Sequence, residues 1–171
     1  ELPKTLAGGP ASMDVRLPKT YDPNKRYPLF LWLNSGRGGN GQARLDIADP
    51  ETHICIGLPL FRKEPSRRPS SKKKEEQDPE SPKALHMKYE DATPLWDAWS
   101  AMLAKLQVLI PNIEPEKGVA GGFSNGAHAI AILLAGKRKE FRHWFGAFIL
   151  VEGGYMLRGD FAVRKCPMLI L

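Results

Sequence analysis

The residues best suited to chemistry lie in Gly122-Phe123-Ser124-Asn125-Gly126, a G-x-S-x-G pentapeptide within GVAGGFSNGAHAIAILLAG, Gly118 to Gly136. A serine hydroxyl attacks a carbonyl only when a base takes its proton and donors receive the oxyanion that forms. Glycine and serine are common, so the pentapeptide takes its meaning from a strand before it and a helix after it. An apolar run, GVAGG, precedes it, and an apolar helical pattern follows. A serine at a sharp strand-to-helix turn stands clear of the sheet, and small neighbours keep that turn free of clashes. The helix N-terminus adds partial positive charge and N–H groups. Ser124 is thus the candidate nucleophile, with the Asn125 amide as a donor to the oxyanion. The competing reading is a structural Gly-Ser turn that caps a buried helix.

A second element is YPLFLWLNSGRGGNG, Tyr27 to Gly41, where an apolar strand runs into a glycine-rich loop. In an open parallel sheet such loops lie at the C-terminal edge, where ligands bind. Glycine lets backbone approach a substrate oxygen closely. The loop has neither the G-x-G-x-x-G nor the G-x-x-x-x-G-K-[ST] spacing of a phosphate cradle. The other reading is the second half of an oxyanion hole.

These segments need a scaffold. Five apolar runs are expected as strands: Leu29–Leu33, Ile54–Leu58, Gly118–Gly122, Ala147–Val151 and Met168–Leu171. They are continuous rather than alternating, which suits strands buried on both faces of a parallel sheet. Ser12–Leu17 alternates better and suits an edge strand. Between them, Thr93-Pro94 offers an N-cap hydroxyl and a proline at the first helical position. Trp96, Trp99, Leu103, Leu106 and Ile110 then form one helical stripe that ends at Pro111. A second helix is expected from Asn125 to Ala135, stopped by Gly136, with Lys137-Arg138-Lys139 at the negative end of its dipole. Strands alternating with helices give an α/β fold with a mostly parallel sheet.

The 171 residues fit one domain, 42% hydrophobic and 26% charged, which supports a packed core. No run approaches the roughly 20 apolar residues of a membrane span. The net charge of +6 favours acidic surfaces without specifying nucleic acid. Cys55 and Cys166 are too distant in sequence for a disulfide to be argued, and no Cys/His cluster has zinc spacing. Neither metal nor cofactor is expected. Residues 62–83 carry mixed charge, four prolines and no large apolar side chain, and read as a flexible solvated insertion. A nucleic-acid arm at Arg62–Lys74 ranks last, because nothing in the folded part resembles a reading element.

The segments YDPNKRYPLFLWLNSGRGGNG and GVAGGFSNGAHA together resemble the α/β-hydrolase superfamily. The esterase branch with feruloyl-esterase-like, esterase D-like and polyhydroxybutyrate-depolymerase-like proteins is the most similar. The resemblance runs from about Asp14 to Leu171, apart from the charged insertion. It implies an α/β-hydrolase-like sheet flanked by helices and a serine ester hydrolase acting through Ser124. It assigns the oxyanion hole to the Gly36 and Asn125 amides, with Arg37 adjacent. The branch usually has His-Gly where this chain has Asn34-Ser35, then Gly36, a departure that leaves the loop register open.

The base is what the sequence lacks. The superfamily order is Ser, then Asp or Glu, then His. His128 lies one turn along the helix after Ser124 and reads as a packing residue. His53 and His143 precede their strands, so both are expected at the far edge of the sheet. His86 falls in a loop with the wrong chain order. Glu152, ending a strand, is a candidate acid, and Asp160 reads as solvated. An apolar strand ending at Leu171 suggests a fold truncated there, with acid and His supplied by a longer parent. The chain also opens on Glu1 rather than Met, which suggests processing. The expected partner is a small ester or an acylated polysaccharide, with no nucleic acid and no membrane span. The expected location is secreted or periplasmic, otherwise cytoplasmic. Trp96, Trp99, Trp144 and Phe123 are candidates for an acyl pocket or for the core. The alternative from another class is a hydrolase-like binding protein without turnover.

Overall fold

A computed structural model describes residues 11–34, 41–60, 92–136, 138–154 and 167–171. Among the described residues the chain forms nine elements. They are β1 (Asp14–Arg16), β2 (Leu29–Leu33), β3 (Ile54–Gly57), α1 (Thr93–Leu109), β4 (Gly118–Phe123), α2 (Asn125–Gly136), α3 (Arg138–Arg142), β5 (Phe145–Val151) and β6 (Met168–Ile170).

The strands form one sheet in the order β1-β3-β2-β4-β5-β6. Only β1 is antiparallel, pairing with β3; the other ladders are parallel. Strands covered on both faces need no polar positions, which is why LFLWL and ICIG read as unbroken apolar runs. Leu29, Leu31, Ile54 and Ile56 are fully buried. Two glycines of β4 work on different sides of the strand. A Cβ on Gly121 would lie 2.5 Å from the Trp32 ring, whereas one on Gly122 would lie 2.6 Å from the Gly126 backbone in α2.

Helix α2 packs on β4, β2 and β5. It is buried nearly all round, as its apolar sequence requires. Phe141 of α3 is the hub of the aromatic core, with Trp96 and Trp99 of α1 on one side and Phe145 and Phe148 of β5 on the other, at ring-centre distances of 5.2 to 6.4 Å. The tryptophans therefore belong to the core. Trp144 is also buried and precedes β5, at the edge opposite Ser124.

Three boundaries differ from expectation. Thr93 is the first helical residue rather than the cap. Ala92 takes the cap position without a side-chain bond, and its carbonyl accepts the Trp96 N–H at 2.9 Å. The basic segment after Gly136 does not simply trail from α2, because Arg138–Arg142 forms the short helix α3. Strand β5 begins at Phe145, two residues before the apolar run, because Gly118 pairs with Phe145. Cys55 is a free thiol buried in β3, and burial pushes its pKa up. Cys166 and the insertion 62–83 lie outside the described residues.

The Trp99 indole Nε1–H donates to the buried Pro59 carbonyl at 2.8 Å. Trp99→Phe keeps most of the ring but leaves that acceptor without its donor. The expected loss is about 1–3 kcal/mol, against about 3–5 kcal/mol for Trp99→Ala. Urea unfolding of the two variants measures both.

Candidate functional site

The sheet order creates a place for a ligand before any side chain is considered. β2 connects forward to β3 on one side, while its other neighbour, β4, leads on to β5. The β2/β4 pair is therefore the topological switch point of the sheet, the place where ligands bind in open parallel sheets. Leu33 pairs with Gly122, so Asn34 and the Phe123–Ser124 turn stand at the same end of adjacent strands.

Ser124 has φ +52°, a left-handed conformation rare for a residue with a Cβ. Its N–H donates to the Val151 carbonyl at 2.9 Å, and its carbonyl accepts the His128 N–H at 3.0 Å. The first bond holds the turn to the end of β5; the second starts α2. The surrounding glycines explain the pentapeptide physically. A Cβ on Gly126 would run into the Leu33 carbonyl oxygen and lie 2.6 Å from Leu33 Cβ. A Cβ on Gly153, beyond β5, would lie 2.7 Å from the Ser124 carbonyl oxygen. The chain thus has to turn sharply within a space that only glycine backbone fills. Ser124 and Asn125 remain half-buried at this turn.

Glu152 follows β5 directly, also with positive φ, at +49°. Phe123 pairs with Val151, so Ser124 and Glu152 end neighbouring strands side by side. The Glu152 side is exposed, and its N–H donates to the Leu171 carbonyl at 3.0 Å. His128 is 8% exposed, and its Nδ1 accepts the Gly154 N–H at 3.1 Å. That bond ties α2 to the loop after β5 and requires the tautomer with hydrogen on Nε2. His128 is thus buried in α2, one turn along from Ser124.

No family model and no curated protein matches the sequence. Solved structures do match. A thermostable esterase aligns with a TM-score of 0.53 at 21% identity, over 95% of this chain and 42% of its own. Thermogutta terrifontis esterase 2 phosphoramylated by tabun gives 0.53 at 14% identity, over 99% and 69%. The same esterase phosphorylated by paraoxon gives 0.50 at 15% identity, over 88% and 55%. The chain has the α/β-hydrolase fold. It spans between 42% and 69% of the length of these esterases.

Within this hydrolase fold, Ser124, Asn125 and Glu152 share the C-terminal edge of the sheet. Gly36 and Arg37, assigned to the oxyanion loop, lie outside the described residues, as do His86 and Asp160. His53 and His143 precede β3 and β5, at the opposite edge. Among the described residues no group of three His, Cys, Asp or Glu side chains is placed to hold a metal ion, and no helix is long and apolar enough to cross a membrane. Sequence reasoning missed Gly153 and Gly154; the signal was the glycine pair one residue beyond an apolar strand. It also missed Arg44, which braces the end of β2. Its Nη1 donates to Asn34 Oδ1 at 2.7 Å, and its Nε and Nη2 donate to the Asp46 carboxylate at 2.7 and 2.6 Å.

Two outcomes follow from this geometry. Gly126→Ala forces its methyl into Leu33, so it should destabilise the fold by at least about 1–3 kcal/mol, the usual cost of overpacking, read by urea unfolding. Arg44, through its hydrogen bonds above all, holds the Asp46 carboxyl down at a pKa of about 2. A carboxyl lowered by folding contributes above its ordinary range, and that contribution is lost as pH falls toward its folded value. The pair is exposed and salt-screened, so its effect is local. Carboxyl NMR of Asp46 should titrate near 2, and the Asn34 side-chain amide should shift with the same midpoint.

Proposed function

We propose that this protein is a serine ester hydrolase in which Ser124 carries the acyl group. The observation that supports it most is the left-handed Ser124 turn at the C-terminal tip of β4, at the switch point of the sheet and opening directly into α2. In this reading Ser124 Oγ loses its proton to a histidine and bonds to the ester carbonyl carbon. The carbonyl oxygen becomes an oxyanion that accepts hydrogen bonds from the Asn125 and Gly36 amides. Collapse expels the alcohol, which takes the proton back from the histidine. Water then hydrolyses the acyl-enzyme by the same steps.

The described histidines do not serve as that base. His128 Nδ1 is occupied by Gly154, and His53 and His143 belong to the other edge. The proposal therefore concerns the whole protein, with the histidine outside the described residues. Glu152, beside Ser124, is the candidate acid, and Arg37 flanks the oxyanion loop. Substrates would be small carboxylic esters or acyl groups on polysaccharides, consistent with the esterase names of the structural neighbours.

The second reading, a binding protein without turnover, is favoured by the place of His128 and by Asn34 where the resembling branch has His. A fluorophosphonate probe followed by intact-mass spectrometry separates the two. A single adduct on the wild-type chain, absent in Ser124→Ala, is the expected result. No adduct on folded wild-type protein would favour the binding reading.

A further inference from the structure

The edge of the sheet opposite Ser124 holds a cleft of about 330 Å³, lined by Glu116, Lys139, Arg142, His143 and Gly146. The six residues of β4 separate it from the serine turn, which is about 20 Å at the usual rise per strand residue. We propose that this cleft binds a compact dianion, namely a small molecule bearing a phosphate or paired carboxylates.

The backbone forms the cleft by specific irregularities. Gly118 pairs with Phe145 and Val119 with Ala147, so Gly146 is the extra residue of a bulge. Bulges bend a strand and re-aim its neighbours, often beside functional sites. Glu116 has φ +63°, and a Cβ on Gly146 would run into the Glu116 carbonyl oxygen. The Glu116 N–H donates to the His143 carbonyl at 2.8 Å. Two further backbone acceptors nearby are engaged. Lys139 O accepts from His143, and Phe141 O accepts from Trp144, both at 3.1 Å.

Side chains therefore set the character of the cleft. The lining carries one ammonium, one guanidinium and one imidazole against one carboxylate. A divalent cation would need several oxygen ligands, which this lining lacks. Guanidinium and ammonium groups bind phosphate and carboxylate through charge-assisted hydrogen bonds. The His143 ring stands edge-on to Trp144 at 5.3 Å, which restricts its plane. The volume is at the small end for ligand sites, and the lining is mainly polar, so a compact anion fits better than an aromatic or polymeric one.

The test is an NMR titration of the full chain, reading the His143 ring and the Gly146 amide. The probes are inorganic phosphate, pyrophosphate and citrate, against sodium chloride at matched ionic strength. At least one probe should give saturable shifts with half-saturation at or below about 1 mM, a binding energy near 4 kcal/mol. Preference for the phosphates or for citrate identifies which anion chemistry the cleft takes. Lys139→Ala and His143→Gln, both at exposed positions, should each weaken binding at least about 5-fold, the effect of losing roughly 1 kcal/mol. Lys105→Ala, on the exposed side of α1, should leave it unchanged. Shifts that stay linear and match those from sodium chloride would overturn the proposal. So would saturable binding that neither cleft variant weakens. The readout is independent of esterase activity.

Discussion

The sharp left-handed turn at Ser124 is the constraint on which the functional edge depends. A residue with a Cβ held there costs of order 1–3 kcal/mol, and it persists only where the surroundings leave no alternative. Here they leave none. The Ser124 amide is fixed to Val151, its carbonyl to His128, and its flanks are closed by Leu33, Gly126 and Gly153. These partners come from β2, β5, α2 and the loop after β5. The turn is thus a product of the packed β2–β4–β5 sheet with α2, and its geometry would not survive in an isolated peptide.

The same packing links the serine to the loop beyond β5. His128 is part of α2 and so moves with the Ser124 turn, while its Nδ1 holds the Gly154 amide. Gly154 itself has φ +83°, and Glu152 has φ +49°. The loop after β5, with its one strained residue at Glu152, is therefore anchored through Gly154 to the helix that begins at Ser124. A change that loosens His128 would act on both strand ends together. This explains why a histidine is buried in an otherwise apolar helix: its neutral imidazole supplies the acceptor that the Gly154 N–H needs.

Much of this architecture was legible in the sequence. Unbroken apolar runs marked β2 to β5 because burial on both faces removes the need for polar residues. The pentapeptide was legible because close backbone contact tolerates only glycine at 122 and 126. What was illegible depended on tertiary partners. Thr93 has the chemistry of an N-cap, yet the chain begins its helix one residue earlier, with Ala92 packed beside Gly136. The start of β5 was missed because Phe145 and Gly146 look like loop residues until the bulge against Gly118 and Val119 is seen. Arg44 was missed because ten residues separate it from Asn34 and no motif predicts their meeting.

The strain is not confined to one edge. Glu116, Ser124 and Glu152 are the non-glycine residues with positive φ among those described, and they flank β4 or end β5. At about 1–3 kcal/mol each, their combined cost is comparable with the whole stability of a typical domain. A sheet can hold such strain only where its pairing is strongest. The β4–β5 ladder is the longest among the described residues, and Phe145, Phe148 and Leu150 on one side of it are completely or nearly completely buried. The central strands therefore serve as a rigid beam with a strained loop at each end. Substrate chemistry at one end and anion binding at the other would draw on the same source of rigidity. Core substitutions along β5 should then disturb both ends together, whereas changes within either loop should stay local.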